Sequence, residues 1–496
     1  MIREPCRCGR TNAFGQTRIP TRCEAGCRCF GIYSNKVSLY HNYEREMKIS
    51  KYTFLFDHAN KEYYTYNTLS NALIEIDETS YSELREHDNG TDLPEERFDK
   101  ELWAALCDNN ILTDNDDDDY LKYKAYITRL RSQRESMHLT LAPTMDCCFR
   151  CYYCFEKYKE KKYMTPEVMD AIIQYVASCR DLKHIKITWF GGEPLMAVPQ
   201  IEAFHDKFSA RWKNPVVSNI ITTGYPIDGE AIRVLKKAGV SQAQITLDGM
   251  QETHNKVKYL PSGENVFEKV MDNIELLNDS APEINIVIRV NLTRENASEY
   301  TRLLKFCLTR FHGRKNIGIS PAFVLDRGAS NCNDCGSKSK LFKHKERSEF
   351  ILELAGQGMD SPYIRYPEPF FNECAIRNDT AISFDPEGYA YKCWEVIGNK
   401  EYAIGKLNAD GYLTNINPKT LNRQLYGADP IDDPVCSQCE YLPVCNGGCP
   451  IQRIENKFEN GHNNCCTYYK GYMVDFLKIH LDRKKAIEKL AGKQNE

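Results

Sequence analysis

Asp146-Cys147-Cys148-Phe149-Arg150-Cys151-Tyr152-Tyr153-Cys154-Phe155 decides how the rest of the chain is read. The stretch sets three thiols at C-x3-C-x2-C spacing directly behind an apolar strand candidate at residues 138–142. Three thiolates cannot close a four-iron cluster, which takes one ligand per iron, so one iron keeps an open position. Open positions separate catalytic metal sites from closed structural ones. The same spacing also serves a zinc knuckle, and free cysteines often act as small apolar core residues.

The spacing, with an aromatic residue before the last cysteine, resembles the signature of the radical S-adenosylmethionine (SAM) superfamily. That resemblance implies Cys147, Cys151 and Cys154 as ligands of a 4Fe-4S cluster that binds SAM. It leaves Cys148 as a bystander and makes Tyr153 the aromatic beside the SAM adenine.

Composition sets the class. The chain has 496 residues, enough for two or three domains with an ample core. A net charge of -4 gives no nucleic-acid footprint. Mean hydropathy is -0.55, and no apolar run approaches the ~20 residues a bilayer crossing needs. No apolar segment near the N-terminus marks a secretory signal. A soluble protein with neither nucleic-acid nor membrane partner is expected. Twenty-two cysteines, mostly bunched at short spacings, point to metal ligation in a reducing cytoplasm rather than to a disulfide scaffold.

Residues 1–46 carry Cys6, Cys8, Cys23, Cys27 and Cys29 among arginines with almost no apolar pattern. They read as a disordered lead or a start assigned too early, with Met47 opening the first domain; a metal-binding arm is the alternative. Residues 47–118 begin with alternation at Tyr52, Phe54 and Phe56, a polar break at Asn60-Lys61, then Tyr64 and Tyr66, which is a hairpin pattern. Helical spacing is expected over Leu69, Leu73, Ile74 and Ile76, and again over Phe98, Leu102, Leu106 and Ile111. This module resembles the winged-helix precursor-recognition element of peptide-modifying enzymes, which binds a leader peptide by strand addition; an ordinary packing domain fits as well. The acidic run Asp114–Asp119 reads as a solvated loop, and residues 119–135 as a linker helix.

Over residues 136–345, strand candidates at 138–142, 184–190, 216–222, 242–247, 284–291 and 317–323 alternate with room for helices. One of those helices opens at Thr165-Pro166-Glu167, a capping residue followed by a first-turn proline. The pattern indicates an α/β fold with a parallel sheet and right-handed crossovers. The resemblance makes it a partial (β/α)6 TIM-like radical SAM barrel, whose site lies at the carboxyl ends of the strands. Gly191-Gly192-Glu193 closes the second strand, Thr222-Thr223-Gly224 the third, Thr246-Leu247-Asp248-Gly249 with His254 the fourth, and Arg289-Val290-Asn291 the fifth. From matching family segments, Gly191, Gly192 and Glu193 are expected at the amino group of SAM. Thr246, Arg289 and Asn291 are expected as further SAM contacts. Asp248 and His254 read as structural, the carboxylate tying its own turn.

Residues 346–470 are cysteine-rich. Cys374 and Cys393 follow C-x13-G-x4-C, and Cys436, Cys439, Cys445 and Cys449 follow C-x2-C-x5-C-x3-C, ahead of Cys465-Cys466. A pair of zinc ribbons could use such spacing. The pattern resembles the SPASM extension, which implies two auxiliary 4Fe-4S clusters: one on Cys374, Cys393 and Cys449, the other on Cys436, Cys439, Cys445 and either Cys465 or Cys466, with Cys465 taken first. The first would keep a vacant iron, able to bind a substrate thiolate, unless Cys332 or Cys335 fills it. Residues 471–496 read as an amphipathic closing helix.

The resemblance implies that reductive cleavage of SAM yields a 5′-deoxyadenosyl radical, which abstracts hydrogen from a peptide. An external electron donor and a ribosomally made precursor peptide are the implied partners, and a crosslink, thioether before carbon-carbon, the implied product. Sulfatase maturases share the architecture but place an aspartate after the cysteine matching Cys393, where this chain has Trp394. Maturation of a folded protein and a non-catalytic zinc-ribbon scaffold are the alternatives.

Overall fold

The computed structural model describes residues 46–154, 160–260, 262–325, 340–359, 366–369 and 374–492. Residues 1–46 separate from residues 47–496. The expectations for the cysteines of the lead, and for Cys332 and Cys335, lie outside the described residues.

Strand β1 (Lys48–Ile49) leads into an antiparallel meander of β2 (Thr53–His58), β3 (Glu62–Asn67) and β4 (Leu73–Ile76). In its first turn Asn60 and Lys61 have φ of 65° and 60°, the left-handed pair that matches hairpin twist. Helices α1 (Glu78–Glu86) and α2 (Lys100–Asp108) are capped by Asp77 and Asp99. Strand β5 (Leu112–Thr113) returns to pair with β1. Leu55, Ile76, Leu84, Phe98, Leu106 and Ile111 form the core between them. The helical reading of Leu73–Ile76 is corrected: these residues pair with β3, Leu73 opposite Tyr66 and Ile76 opposite Tyr63. A ready strand edge overrides a pattern this short.

The acidic run is also corrected. Asp116 to Asp119 form the first turn of α3 (Asp116–Arg131), capped by Asn115, where the helix dipole favours carboxylates. Nor is α3 a free linker, since Tyr123 and Ile127 pack on Ile431 and Leu442. At its end Arg131 forms a buried, two-pronged ion pair with Asp429.

Six strands follow: β6 (Ser136–Leu141), β7 (His184–Trp189), β8 (Val216–Thr222), β9 (Val240–Leu247), β10 (Asn285–Leu292) and β11 (Ile317–Phe323). They pair parallel in chain order. The crossovers hold α4 (Pro166–Ser178), α5 (Val198–Arg211), α6 (Gly229–Lys237), α7 (Gln251–Val257), α8 (Val266–Ser280) and α9 (Tyr300–Arg310). Met137, Leu139, Leu141, Ile185, Ile187 and Trp189 are buried in the main core. The alternate residues His138, Thr140, Lys186 and Thr188 face the other side of the sheet. The expected α/β architecture of six parallel strands is the one observed, so the motif residues gather at one end.

After α10 (His344–Gly356), strand β12 (Ala381–Phe384) adds parallel to β6, and β13 (Tyr389–Tyr391), β14 (Gly405–Leu407) and β15 (Leu413–Thr414) continue antiparallel. The barrel sheet thus runs into the cysteine-rich region as ten strands, an extension that a four-residue strand gives little sign of in sequence. Short helices α11 (Pro418–Asn422), α12 (Leu442–Cys445) and α13 (Pro450–Phe458) follow, Cys445 ending α12 and Cys449 standing just before α13, and α14 (Met473–Gly492) comes last. His58 bonds Asp482 at 2.9 Å and Lys485 pairs with Glu62, tying the first module to that helix.

Candidate active site

The cluster loop leaves the end of β6. Asp146, 4% exposed, accepts from the Cys147 N–H at 2.9 Å, and the Phe149 N–H points at Cys147 Sγ at 3.5 Å. An N–H aimed at sulfur stabilises a thiolate. Cys148 behaves differently: a hydrogen bond with Cys147, then burial, push its thiol well up.

Gly191 and Gly192 lie against this loop. A Cβ on Gly192 would stand 2.2 Å from the Asp146 carbonyl oxygen, and one on Gly191, at φ 112°, 2.4 Å from that of Thr144. Their missing side chains therefore admit the protein's own backbone behind the cluster loop. Glu193 is 0% exposed, and its carboxylate is held by the protein's own donors. It accepts from Thr222 Oγ1 (2.6 Å), the Thr223 N–H (2.7 Å), Thr223 Oγ1 (2.6 Å) and the Leu195 N–H (3.0 Å). Burial pushes this carboxyl above its ordinary range despite those four donors. The T-T-G segment of the third strand thus holds Glu193, a role its sequence did not suggest.

A cavity of about 400 Å³ opens beside the loop, lined among others by Tyr152, Tyr153, Asp248, Asn291, Glu295 and Val324. Thr246 and Arg289 are register partners on β9 and β10, and Arg289 Nε donates to Asn291 Oδ1 at 3.2 Å. Of the residues expected at SAM, Tyr153 and Asn291 line this cavity, whereas Thr246, Arg289, Gly191, Gly192 and Glu193 do not.

Asp248 does not tie its own turn through its carboxylate. That carboxylate accepts from the Tyr153 hydroxyl at 2.5 Å and pairs with Lys258, while the Asp248 N–H donates to His254 Nδ1 at 3.3 Å. Asn296 stitches two strand ends, its Nδ2 donating to Asp248 O (2.7 Å) and Asn291 O (2.9 Å). Glu299 accepts from the Met250 N–H at 2.8 Å and Thr253 Oγ1 at 2.6 Å. Lys258, Asn296 and Glu299 were missed in sequence; an isolated polar residue in a loop gives no periodic signal there.

The remaining cysteines fall into groups. Burial raises the Cys393 thiol, with Glu395, Cys374 and Cys449 charges adding. Burial also pushes Cys445 up to about 11, with Cys466 and Cys436 adding, and Cys439 is raised likewise beside Cys436. Cys465 is pushed up to about 12 by burial, with Cys449, Cys466 and Cys445 near it. The turn that assembles them is left-handed at Asn446, Gly447 and Gly448 (φ 46°, 71° and 67°). A Cβ on Gly448 would lie 1.9 Å from the Cys465 carbonyl oxygen, so only glycine lets the two segments cross. Among the described residues no group of three or more His, Cys, Asp or Glu side chains is arranged to hold a metal ion. In donor chemistry the thiols fit iron-sulfur ligation.

Phe190, just before the glycine turn, stacks on Trp394, just after Cys393, with centroids 5.7 Å apart at 27°. This contact joins the cluster-loop flank to the first thiol group.

Residues 141–307 match the family model described as the Radical SAM superfamily. The chain is similar to the radical SAM cyclopropyl synthase TigE of Paramaledivibacter caminithermalis, at 21% identity over 86% of this chain and 94% of that protein. It is similar to the cysteine-type anaerobic sulfatase-maturating enzyme of Clostridium novyi, at 22% identity over 68% of this chain and 94% of that one. The structure of native anSMEcpe with bound AdoMet and Cp18Cys peptide superposes with a TM-score of 0.52 at 17% identity, covering 72% of this chain and 99% of that one, a likeness of fold. Among the described residues no helix is long and apolar enough to cross a membrane.

Proposed function

This chain is a radical SAM enzyme, and from that premise we propose that it is a maturase that crosslinks a ribosomally made precursor peptide, thioether first and carbon-carbon second. When bound, the 4Fe-4S cluster and SAM supply the 5′-deoxyadenosyl radical that abstracts a substrate hydrogen. Cys147, Cys151 and Cys154 would hold that cluster. Tyr153, Thr246, Arg289 and Asn291 would orient SAM, together with the backbone of the Gly191–Glu193 turn. The protein's work is positioning and exclusion of water.

The observation that supports the reading is the Phe190–Trp394 stack, which links the residue before the glycine turn to the residue after Cys393. Three thiols, Cys374, Cys393 and Cys449, would leave a metal position for a substrate cysteine, which favours a thioether. Trp394 after Cys393 separates the chain from sulfatase maturases, whose aspartate there accepts a proton. A second auxiliary cluster would take Cys436, Cys439 and Cys445. Its fourth ligand would be Cys465 or Cys466, with Cys465 taken first. The free edge of β4 suits strand addition by a leader peptide. The similarity to TigE, a named cyclopropyl synthase, makes another bond type the rival.

Anaerobic incubation with SAM, a low-potential reductant and the peptide encoded beside this gene is expected to give a product two mass units lighter. A formylglycine mass change on a sulfatase peptide would favour the folded-protein reading. An unchanged mass with every adjacent short peptide would sink the proposal.

A further inference from the structure

Lys258 is 2% exposed, in the loop that follows α7, and nothing in its sequence neighbourhood explains a buried ammonium. An unpaired charge at such depth is too costly to persist. It pairs with Asp248, itself 1% exposed, and its Nζ stands 3.4 Å from the Tyr153 hydroxyl. That hydroxyl donates to the other Asp248 oxygen at 2.5 Å, so three side chains close a ring of polar contacts. Its members come from the cluster loop, the end of β9 and the C-cap of α7. Burial pulls the ammonium toward neutrality, but the charges of Asp248 and Cys151 outweigh it and the net shift is upward. Tyr153 and Asp248 also line the 400 Å³ cavity, whereas Lys258 stands behind them.

We propose that Lys258 is a positioning residue for the SAM pocket: with Asp248 it fixes the Tyr153 hydroxyl, and through it the Cys147–Cys154 loop, against the ends of the barrel strands. The aromatic ring then forms a fixed wall of the cavity, because its one polar atom is held from behind by two buried charges. Loss of the ammonium leaves Asp248 buried without its counter-charge, and the carboxylate draws water or a proton in its place. Tyr153 loses its anchor, and the wall it forms loosens. The inference rests on the reading of this cavity as the SAM site, but not on which peptide is modified.

The test uses the full-length, anaerobically reconstituted enzyme with SAM alone and measures SAM affinity by equilibrium dialysis, iron content and melting temperature. Lys258→Met is expected to keep the iron of the parent yet weaken SAM binding at least about tenfold, as outer-shell losses typically do. Lys258→Arg should restore most of the affinity, since a guanidinium can still pair with Asp248. Tyr153→Phe removes a single oxygen; it should weaken SAM binding by itself and make the Lys258→Met effect smaller in the double variant. Iron-replete Lys258→Met or Tyr153→Phe with parental affinity would overturn the proposal. So would full additivity in the double variant, which would mean that the two residues act separately. Should Lys258→Met fail to fold, Tyr153→Phe and Lys258→Arg carry the test. A parent enzyme that binds no SAM would instead overturn the reading of the site.

Discussion

Two thiol-bearing regions of this chain are held in place by different means. The Cys147–Cys154 loop is fixed from behind by buried charge: Asp146, Glu193, Asp248 and Lys258 are all 0–4% exposed. The later cysteines depend on local turns, with Asn446, Gly447 and Gly448 in the left-handed region and Cys374 and Cys466 exposed. Charge is buried there too, as in Arg377, 4% exposed, which donates to the Asn446 carbonyl oxygen at 3.5 Å, but the Arg453–Asp433 pair at 2.9 Å is more open, its carboxylate 33% exposed. A loop set by a buried network keeps its shape before any ligand arrives. One set by turns has few long-range restraints and gains more from the metal that closes it.

The largest expected effect comes from adding one methyl group to each region. Gly448→Ala drives a Cβ to 1.9 Å from the Cys465 carbonyl oxygen and forces a left-handed φ, and Gly192→Ala drives one to 2.2 Å from the Asp146 carbonyl oxygen. Backbone cannot yield as a flexible side chain does, so each should cost roughly 3–5 kcal/mol. The regions should fail separately. Gly448→Ala should lose iron from the C-terminal thiols yet still cleave SAM without peptide, and Gly192→Ala should lose SAM cleavage first. Iron analysis and 5′-deoxyadenosine assays check both; loss of all iron in both variants would erase the distinction.

A second contrast is in pH. His138 on β6 is pulled down to about 4 by burial, with Lys186 adding. Its folded value lies below its unfolded one, so the stability it contributes is present above about pH 6.5 and is lost as pH falls toward 4. Asp385, after β12, is pushed up to about 6 by burial, although it accepts from the Tyr391 hydroxyl at 3.0 Å. Its sign is opposite: the protonated form is favoured in the fold, so stability falls as pH rises from about 4 to 6 and is level above. Each effect is at most about 3 kcal/mol. Melting curves between pH 4 and 7 should show His138→Gln flattening the acid limb and Asp385→Asn flattening the opposing slope. Unchanged curves for both variants would remove titration as a difference between the regions.

Much of this was legible in the sequence, for reasons that particular residues make plain. Parallel strands buried on the helix side leave a strong signal, so residues 184–190 and 216–222 match β7 and β8 closely. Cysteine spacing is local, so the Cys436-to-Cys449 run stands out in sequence, whereas setting Cys449 with Cys374 and Cys393 came from the resemblance alone. What stayed hidden depends on partners distant along the chain. Leu73–Ile76 became a strand because β3 was beside it, and β12 has meaning only through β6. Lys258 and Glu193 show their roles only once strand ends are brought together, since their partners in Tyr153 and Thr223 come from other elements.

The smallest expected effect sharpens the comparison within the cluster loop itself. Cys147 and Cys148 are chain neighbours with the same chemistry, and Cys147 accepts the Phe149 N–H on its sulfur at 3.5 Å. The Cys148 thiol is raised by its bond with Cys147, by burial and by the Glu193 charge, all of which keep it protonated. Cys148→Ala removes little more than one sulfur atom from a half-buried position, which should change stability by no more than about 1 kcal/mol. Iron per chain and SAM cleavage should stay at parental levels, whereas Cys147→Ala should abolish cleavage. If Cys148→Ala instead lost iron, the loop would be using its thiols in a different register. The tyrosine held by Lys258 would then sit beside the wrong ligand set.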